Sequence, residues 1–326
     1  MLITRTPLRI SIGGGGTDLP SYYRDGGATV VSAAINKYIY ISINPTFVAD
    51  YFLKYSALER AERIADVQHP LIREALRSVG IEPGVEIVSM ADIPAGTGLG
   101  SSGAFTVGLL RALYAFKREH ITAGALAEEA CRIEIDVLAQ PVGKQDQYIA
   151  AFGGLTCFEF HPDDRVTVSP LAIANTTLHD LEEHLLLFFT GYARSAGSIL
   201  QDQNVRSTAK DSAMRAALEF TQELGLRIKD ALEAGRTTEF AGLMHEHWEY
   251  KRRRSEGMSN PDIDRWYELA RGAGARGGKL VGAGAGGFLL FYAEEPQRLR
   301  AAMSAEGLNE VRFFFDHDGS TVVVRD

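Results

Sequence analysis

The stretch Ile93-Pro-Ala-Gly-Thr-Gly-Leu-Gly-Ser-Ser-Gly-Ala104 constrains the folds open to this chain more than any other, because it joins a strand pattern to a helix pattern. Upstream, Val85-Glu-Ile-Val-Ser-Met90 reads as a strand. Downstream, Phe105, Leu109, Leu113 and Phe116 recur at helical spacing and give a helix over 102–117 one apolar face. A strand that turns through glycines into a helix start gathers orphan N–H groups and the positive end of a helix dipole at one point, which favours a polyphosphate. Glycines also let the backbone approach phosphate oxygens without Cβ atoms in the way. At the helix start, Ser101 and Ser102 suit either the capping of free N–H groups or the ligation of Mg²⁺ or phosphate.

Glycine patterns alone are weak. Gly98, Gly100 and Gly103 satisfy G-x-G-x-x-G, and so do Gly282, Gly284 and Gly287. A dinucleotide site needs strand, loop and helix, with an acid ending the next strand about 20 residues on. The second match precedes a strand. The first is followed at that distance by Lys117-Arg-Glu119, the basic end of its own helix. An NAD-dependent oxidoreductase, which would bind NAD(H) and release no ADP, is therefore disfavoured. No Lys-Ser/Thr follows the glycines, so the P-loop pattern fails as well.

Length allows two domains in 326 residues, and a composition 45% hydrophobic and 23% charged is that of a globular protein. A net charge of −8 argues against a nucleic-acid partner. Cys131 and Cys157 form no disulfide framework and no metal-ligand spacing, and no apolar run reaches membrane-spanning length. The expectation is a cytoplasmic protein with no membrane partner, a monomer or homodimer.

Strands are expected at 28–34 and 38–43, with a turn at Asn36-Lys37, and helices at 57–65, 70–79 and 125–139, the last closed by Pro141. Beyond a polar stretch around 160–177, a strand at 185–189 precedes long helices at 211–233, 238–255 and 261–272. Strand 287–292, helix 296–306 and strands 311–315 and 321–324 close an α+β layer with helices on one face. The expected domains are 1–175 and 176–326. His245-Glu-His247 has its histidines two apart, on different helix faces, and is no zinc site. Trp248 and Trp266 read as core or pocket wall.

Three segments together carry a resemblance: Arg5-Thr-Pro-Leu-Arg-Ile-Ser-Ile-Gly-Gly-Gly-Gly-Thr-Asp18, Pro94 to Ala104, and Lys279-Leu-Val-Gly-Ala-Gly-Ala-Gly-Gly-Phe288. In this order they resemble the three motifs of the GHMP kinases. Gly13 to Tyr23, Gly143-Lys-Gln-Asp-Gln-Tyr148 and the run from His247 through Pro261 further resemble the heptose 7-phosphate kinases of that superfamily. Fucokinase-like domains share part of the Gly-Gly-Thr-Asp pattern. The galactokinase Gly-Glu-His is absent.

The resemblance implies an α+β fold, with an N-terminal mixed α/β domain that binds ATP and a C-terminal ferredoxin-like domain. It implies ATP and Mg²⁺, a sugar-phosphate substrate, and transfer to the anomeric hydroxyl; a kinase of a fucose-like or uronic sugar is the alternative. Pro94, Gly96, Gly98, Leu99, Gly100, Ser101, Ser102 and Gly103 would cradle the nucleotide, and Ser102 with Glu134 would hold Mg²⁺. Asp146, read on a loop after Pro141, would act as general base or orient the hydroxyl, with Arg9 as its cationic partner. Gly15, Gly16, Thr17, Asp18, Lys144, Tyr148, Gly284 and Gly286 would contact the sugar. Asp18 also suits a cap for a helix beginning at Leu19-Pro20. Arg194 and Lys251 to Arg254 are candidates for the substrate's own phosphate, the latter run also suiting a solvated helix end.

Overall fold

The structure is a computed structural model that describes residues 1–191, 197–209, 211–254, 257–282, 284 and 286–325. Two sheets organise it. In the larger sheet, β1 (Leu2–Gly13) lies between β2 (Ala28–Pro45) and the last strand, β12 (Thr321–Arg325). Beyond β2 come β5 (Val85–Ala91), β3 (Tyr51–Lys54) and β4 (Leu58–Ala61), with β3 parallel to β5. β2 is long enough to serve two partners on one edge: its second half pairs with β5 and its first half with β6 (Leu155–Phe160), which in turn pairs with β7 (Val166–Pro170).

Asn36-Lys37, expected as a turn, is instead a bulge within β2. The register against β1 jumps from Pro7↔Tyr38 to Leu8↔Ile35 at that point. It falls where β2 changes partner, and residues 314–316 fill the gap: Asn36 N donates to Phe314 O, and Asp316 N to Ala34 O. The helix expected at 57–65 is also corrected. Leu58-Glu-Arg-Ala61 folds back on β3 as a hairpin, its helix-forming residues overridden by strand pairing.

The helices that position the site are α1 (Pro20–Gly26), α3 (Ser101–Phe116), α4 (Ala123–Cys131) and α5 (Gln145–Phe152). α3 is apolar on most sides because it is buried between β1 and β2 on one side and α2 (Pro70–Val79), α4 and α5 on others. Between α4 and α5, residues Arg132–Val137 form a π-helical turn, an uncommon element that recurs at functional sites.

The second sheet is antiparallel, in the order β11 (Asn309–Glu310), β8 (Leu185–Phe189), β10 (Phe288–Ala293), β9 (Ala275–Leu280), the ferredoxin-like arrangement. Both faces are covered, so alternate residues enter different cores. Leu186, Phe188, Leu289 and Phe291 pack with Trp248 of α9 (Thr237–Arg254), with α10 (Pro261–Gly272) and with α11 (Pro296–Ala305); Leu185, Leu187, Phe288 and Leu290 join the core of the first sheet. α6 (Asn175–His184) precedes β8, α7 (Gly197–Thr208) follows it, and α8 (Ser212–Glu233) then crosses to β1 and β2, where Gly225 meets Gly13 and Gly14. The closing strand, expected in the C-terminal layer, pairs with β1 instead, and residues 311–315 form no strand. Among the described residues no helix is long and apolar enough to cross a membrane.

Candidate active site

Three glycine segments, far apart in sequence, converge on one cavity of about 470 Å³. Its walls are β1 with the loop that follows, the turn before α3, the approach to α5, and the ends of α9 and β9, with Leu200 and Gln203 of α7 closing one side. The turn before α3 and the turn after β9 meet backbone to backbone. A Cβ on Gly98 would stand 2.6 Å from Val281 O, and one on Gly287 would stand 2.0 Å from Thr97 O, at positive φ in both cases. No side chain fits at either place.

α3 begins at Gly100, whose left-handed backbone (φ 77°) provides no side-chain cap. The first helical bond runs from Ala104 N to Gly100 O, and Ser101 Oγ is buried without a partner. An uncapped helix start with an orphaned buried hydroxyl fits a phosphate group. Gly96, Gly98, Gly100, Ser101 and Ser102 line the cavity. Pro94, Leu99 and Gly103 support them from behind. Pro94 O accepts from Thr97 Oγ1 at 3.0 Å, Leu99 is buried with its carbonyl accepting from Arg9 N at 3.0 Å, and Gly103 backs onto Asp146.

Ser102 Oγ lies 2.5 Å from Glu134 Oε2, and Gln147 Nε2 donates to Glu134 Oε1 at 3.0 Å. The π-helical turn carries Glu134 into the interior, where burial raises its pKa against the hydrogen bonds from Ser102 and Gln147. A buried carboxylate beside a hydroxyl, next to a phosphate cradle, is the donor set a hard divalent cation such as Mg²⁺ takes, with phosphate oxygens and water completing its shell. The described residues hold no cluster of three or more His, Cys, Asp or Glu side chains of metal-binding geometry.

Arg9, on β1, grips Asp146 with two bonds, Nε to Oδ1 at 2.7 Å and Nη2 to Oδ2 at 2.9 Å, while its third nitrogen donates to Gly98 O. Asp146 stands in the first turn of α5 rather than on a loop, because Gln145 and Asp146 already follow the helical path that begins at Lys144. The expected cap role of Asp18 is redirected. It leaves α1 uncapped, and its carboxylate accepts from Gly16 N and from Gln145 N, both at 3.0 Å, so it ties the first glycine loop to the start of α5. Burial raises the Asp18 pKa, and the bond from Gln145 N works against that.

The structure separates some residues that the sequence grouped together. Gly15, Gly16 and Asp18 line the cavity, but Thr17 turns its hydroxyl to Gly14 O. Lys144 and Tyr148 face away: Lys144 Nζ bonds both oxygens of Glu128 at 3.1 and 3.2 Å, and the Tyr148 hydroxyl donates to the same carboxylate. In the third glycine turn Gly282 lines the cavity, while Gly284 and Gly286 follow it at positive φ. Arg194 lies outside the described residues. Lys251 lines the cavity and donates to the carbonyls of Leu280 and Gly282.

Lys279, His247, Ser11 and Gln203 also line the cavity, and sequence reading gave them no role. Lys279 is the informative omission. It is the one buried charged side chain of β9, Arg276 being exposed, in the run Gly277-Gly-Lys-Leu280. Burial and the nearby Arg9 push its pKa down to about 7. Trp248 is core, and His245 Nδ1 lies 2.8 Å from the Tyr267 hydroxyl.

The geometry agrees with the comparisons. Residues 63–154 match the model of the GHMP kinases N terminal domain, and residues 228–309 match that of the GHMP kinases C terminal. A Campylobacter jejuni protein named D-glycero-alpha-D-manno-heptose 7-phosphate kinase is 30% identical over 90% of this chain and 90% of its own length. A solved structure titled as a D-glycero-D-manno-heptose 1-phosphate kinase from Bacteroides thetaiotaomicron superposes with a TM-score of 0.80 at 26% identity, covering 100% of both chains. The L-fucokinase/L-fucose-1-P guanylyltransferase of Bacteroides fragilis is 26% identical over 94% of this chain, which spans 36% of that protein. With both family domains matched and a relative 30% identical along 90% of both chains, the chain belongs to the GHMP kinases, ATP-dependent phosphotransferases that act on alcohol groups.

Proposed function

We propose that this sugar kinase phosphorylates the anomeric hydroxyl of D-glycero-α-D-manno-heptose 7-phosphate, giving the 1,7-bisphosphate on the route to GDP-heptose. The observation that carries the reading is the Arg9–Asp146 pair, set in one cavity between the uncapped start of α3 and the Gly15–Asp18 loop. Support for the sugar comes from the Campylobacter protein, which matches along 90% of both chains, whereas the fucokinase match covers 36% of a larger protein. The two heptose relatives are named for different phosphate positions, but both names specify a phosphorylated heptose.

In this reading the N–H groups and hydroxyls at Gly100 to Ser102 hold the ATP phosphates, and the Gly15–Asp18 loop holds the sugar. Asp146, fixed in direction by two bonds from Arg9, accepts the proton of the attacking hydroxyl or aligns it. Arg9 meets the charge that develops on the transferred phosphoryl group. Ser102 and Glu134 would hold Mg²⁺, which neutralises phosphate charge when bound. Residues 1–175 supply the nucleotide cradle, and residues 176–326 supply Lys251, Lys279 and the third glycine turn.

ADP release across heptose 7-phosphate, mannose, fucose and galactose tests the sugar. Turnover of the heptose phosphate alone is expected, and turnover of free fucose without it would sink the assignment. Asp146→Asn should lower kcat by about 10²- to 10⁴-fold. Unchanged kcat would remove Asp146 from the mechanism.

A further inference from the structure

Lys279 is 2% exposed yet reaches the cavity wall from the end of β9. Its ammonium nitrogen bonds Ile12 O at 3.1 Å and stands 3.4 Å from His247 Nδ1. Among the described residues no carboxylate forms an ion pair with it, and the charge that acts on it most is the cation of Arg9. A buried lysine without a counter-ion is costly, and an entering anion offsets that cost.

The other cavity cations have partners: Arg9 holds Asp146 bidentately, and Lys251 donates to two carbonyls. Position then sets the Lys279 ammonium towards the first glycine loop. Its anchor, Ile12, lies three residues beyond Arg9 on β1, roughly 10 Å along an extended strand, in the direction of the loop that carries Gly15, Gly16 and Asp18. We propose that Lys279 is the anion-recognition residue for a phosphate group carried by the acceptor sugar. The proposal rests on the sugar-phosphate reading above.

The groups that act on Lys279 are Arg9 from β1 and His247 from α9, while Asp18, Asp146 and Lys251 line the same cavity. Near neutral pH the amine of the free enzyme is therefore partly neutral, and an arriving phosphate dianion draws a proton onto it.

The test compares steady-state kinetics of the wild-type chain and Lys279→Met with heptose 7-phosphate, using ADP affinity as the folding control. One charged hydrogen bond corresponds to an increase in KM of about 10- to 150-fold, with ADP affinity unchanged and kcat largely retained. An unchanged KM overturns the subsite. A fall in kcat at constant KM also overturns it, by placing the ammonium on the transferred phosphoryl group. A wild-type chain that turns over free sugars but not the heptose phosphate overturns the substrate reading itself, and the subsite with it. A second measurement needs no variant: calorimetry of heptose 7-phosphate binding to the wild-type chain at pH 8, in two buffers of different ionisation enthalpy, should show net proton uptake.

Discussion

Glu134 and Lys279 illustrate how this site holds charge where folding alone would not put it. Burial raises the Glu134 pKa, so its ionised form costs stability at neutral pH, above the ordinary carboxylate range. Glu134→Gln should therefore raise the thermal midpoint of the ligand-free protein by about 2–4 °C while lowering kcat by about 10²-fold or more; scanning calorimetry and ADP release read the two effects. For Lys279 the sign is set by the unfolded chain, which keeps its proton up to the ordinary lysine range, whereas the folded chain releases it near 7. Between those values the unfolded state binds more protons, so this group's contribution to stability improves as pH rises. The gain in thermal midpoint from Lys279→Met should be largest at or below pH 7 and should shrink towards pH 10. Sequence made Arg9, Ser102, Glu134 and Asp146 legible as candidates because motif spacing marks them, and the structure gathers all four. Lys144 and Tyr148, expected at the sugar, turn from the cavity to Glu128, a choice of α5 face that the sequence around Asp146 does not state.

At the scale of elements, period and turn chemistry were readable, and partners were not. α3, α8, α10 and α11 fall within a residue or so of the expected bounds because each has a helical stripe and a start or stop signal, such as Asp211 capping Met214 N and Asn260 capping Ile263 N. The hairpin at 51–61 escaped because its residues favour helix locally, and only the neighbour β5 makes them strands. The bulge at Asn36-Lys37 looked like a turn for a related reason: a break in alternation reads the same whether the chain reverses or shifts register. Where elements meet, the glycine turns allow a sharp test. Gly287→Ala puts a Cβ against Thr97 O at positive φ and should cost about 1–3 kcal/mol or more. Nucleotide affinity should fall with it, because the same contact holds the turn before α3. Denaturant melts and ADP titration check both.

In the molecule as a whole, the C-terminal half reaches back to the first sheet through elements far away in sequence. α8 lays Gly225 against Gly13 and Gly14, and β12 returns from the chain end to complete the edge of β1. Long-range pairing of this kind leaves no local trace, so the expected boundary near 175 could not register it. A fragment of residues 1–175 would leave both the β1 edge and the surface under α8 exposed. It should lack the near-UV circular dichroism and sharp melting of the full chain, and a fragment with native-like melting would show that the N-terminal half is self-sufficient.

The seam between Gly98 and Gly282 has a consequence for how such a protein can change over generations. Side chains at a cavity wall can be exchanged one at a time, each with its own effect on the ligand. A seam of bare backbone offers no such steps, since every substitution at Gly98 meets the Val281 carbonyl and every substitution at Gly282 meets Gly98. Change is therefore open to side chains of the wall such as Gln203 and His247, whereas the seam admits none.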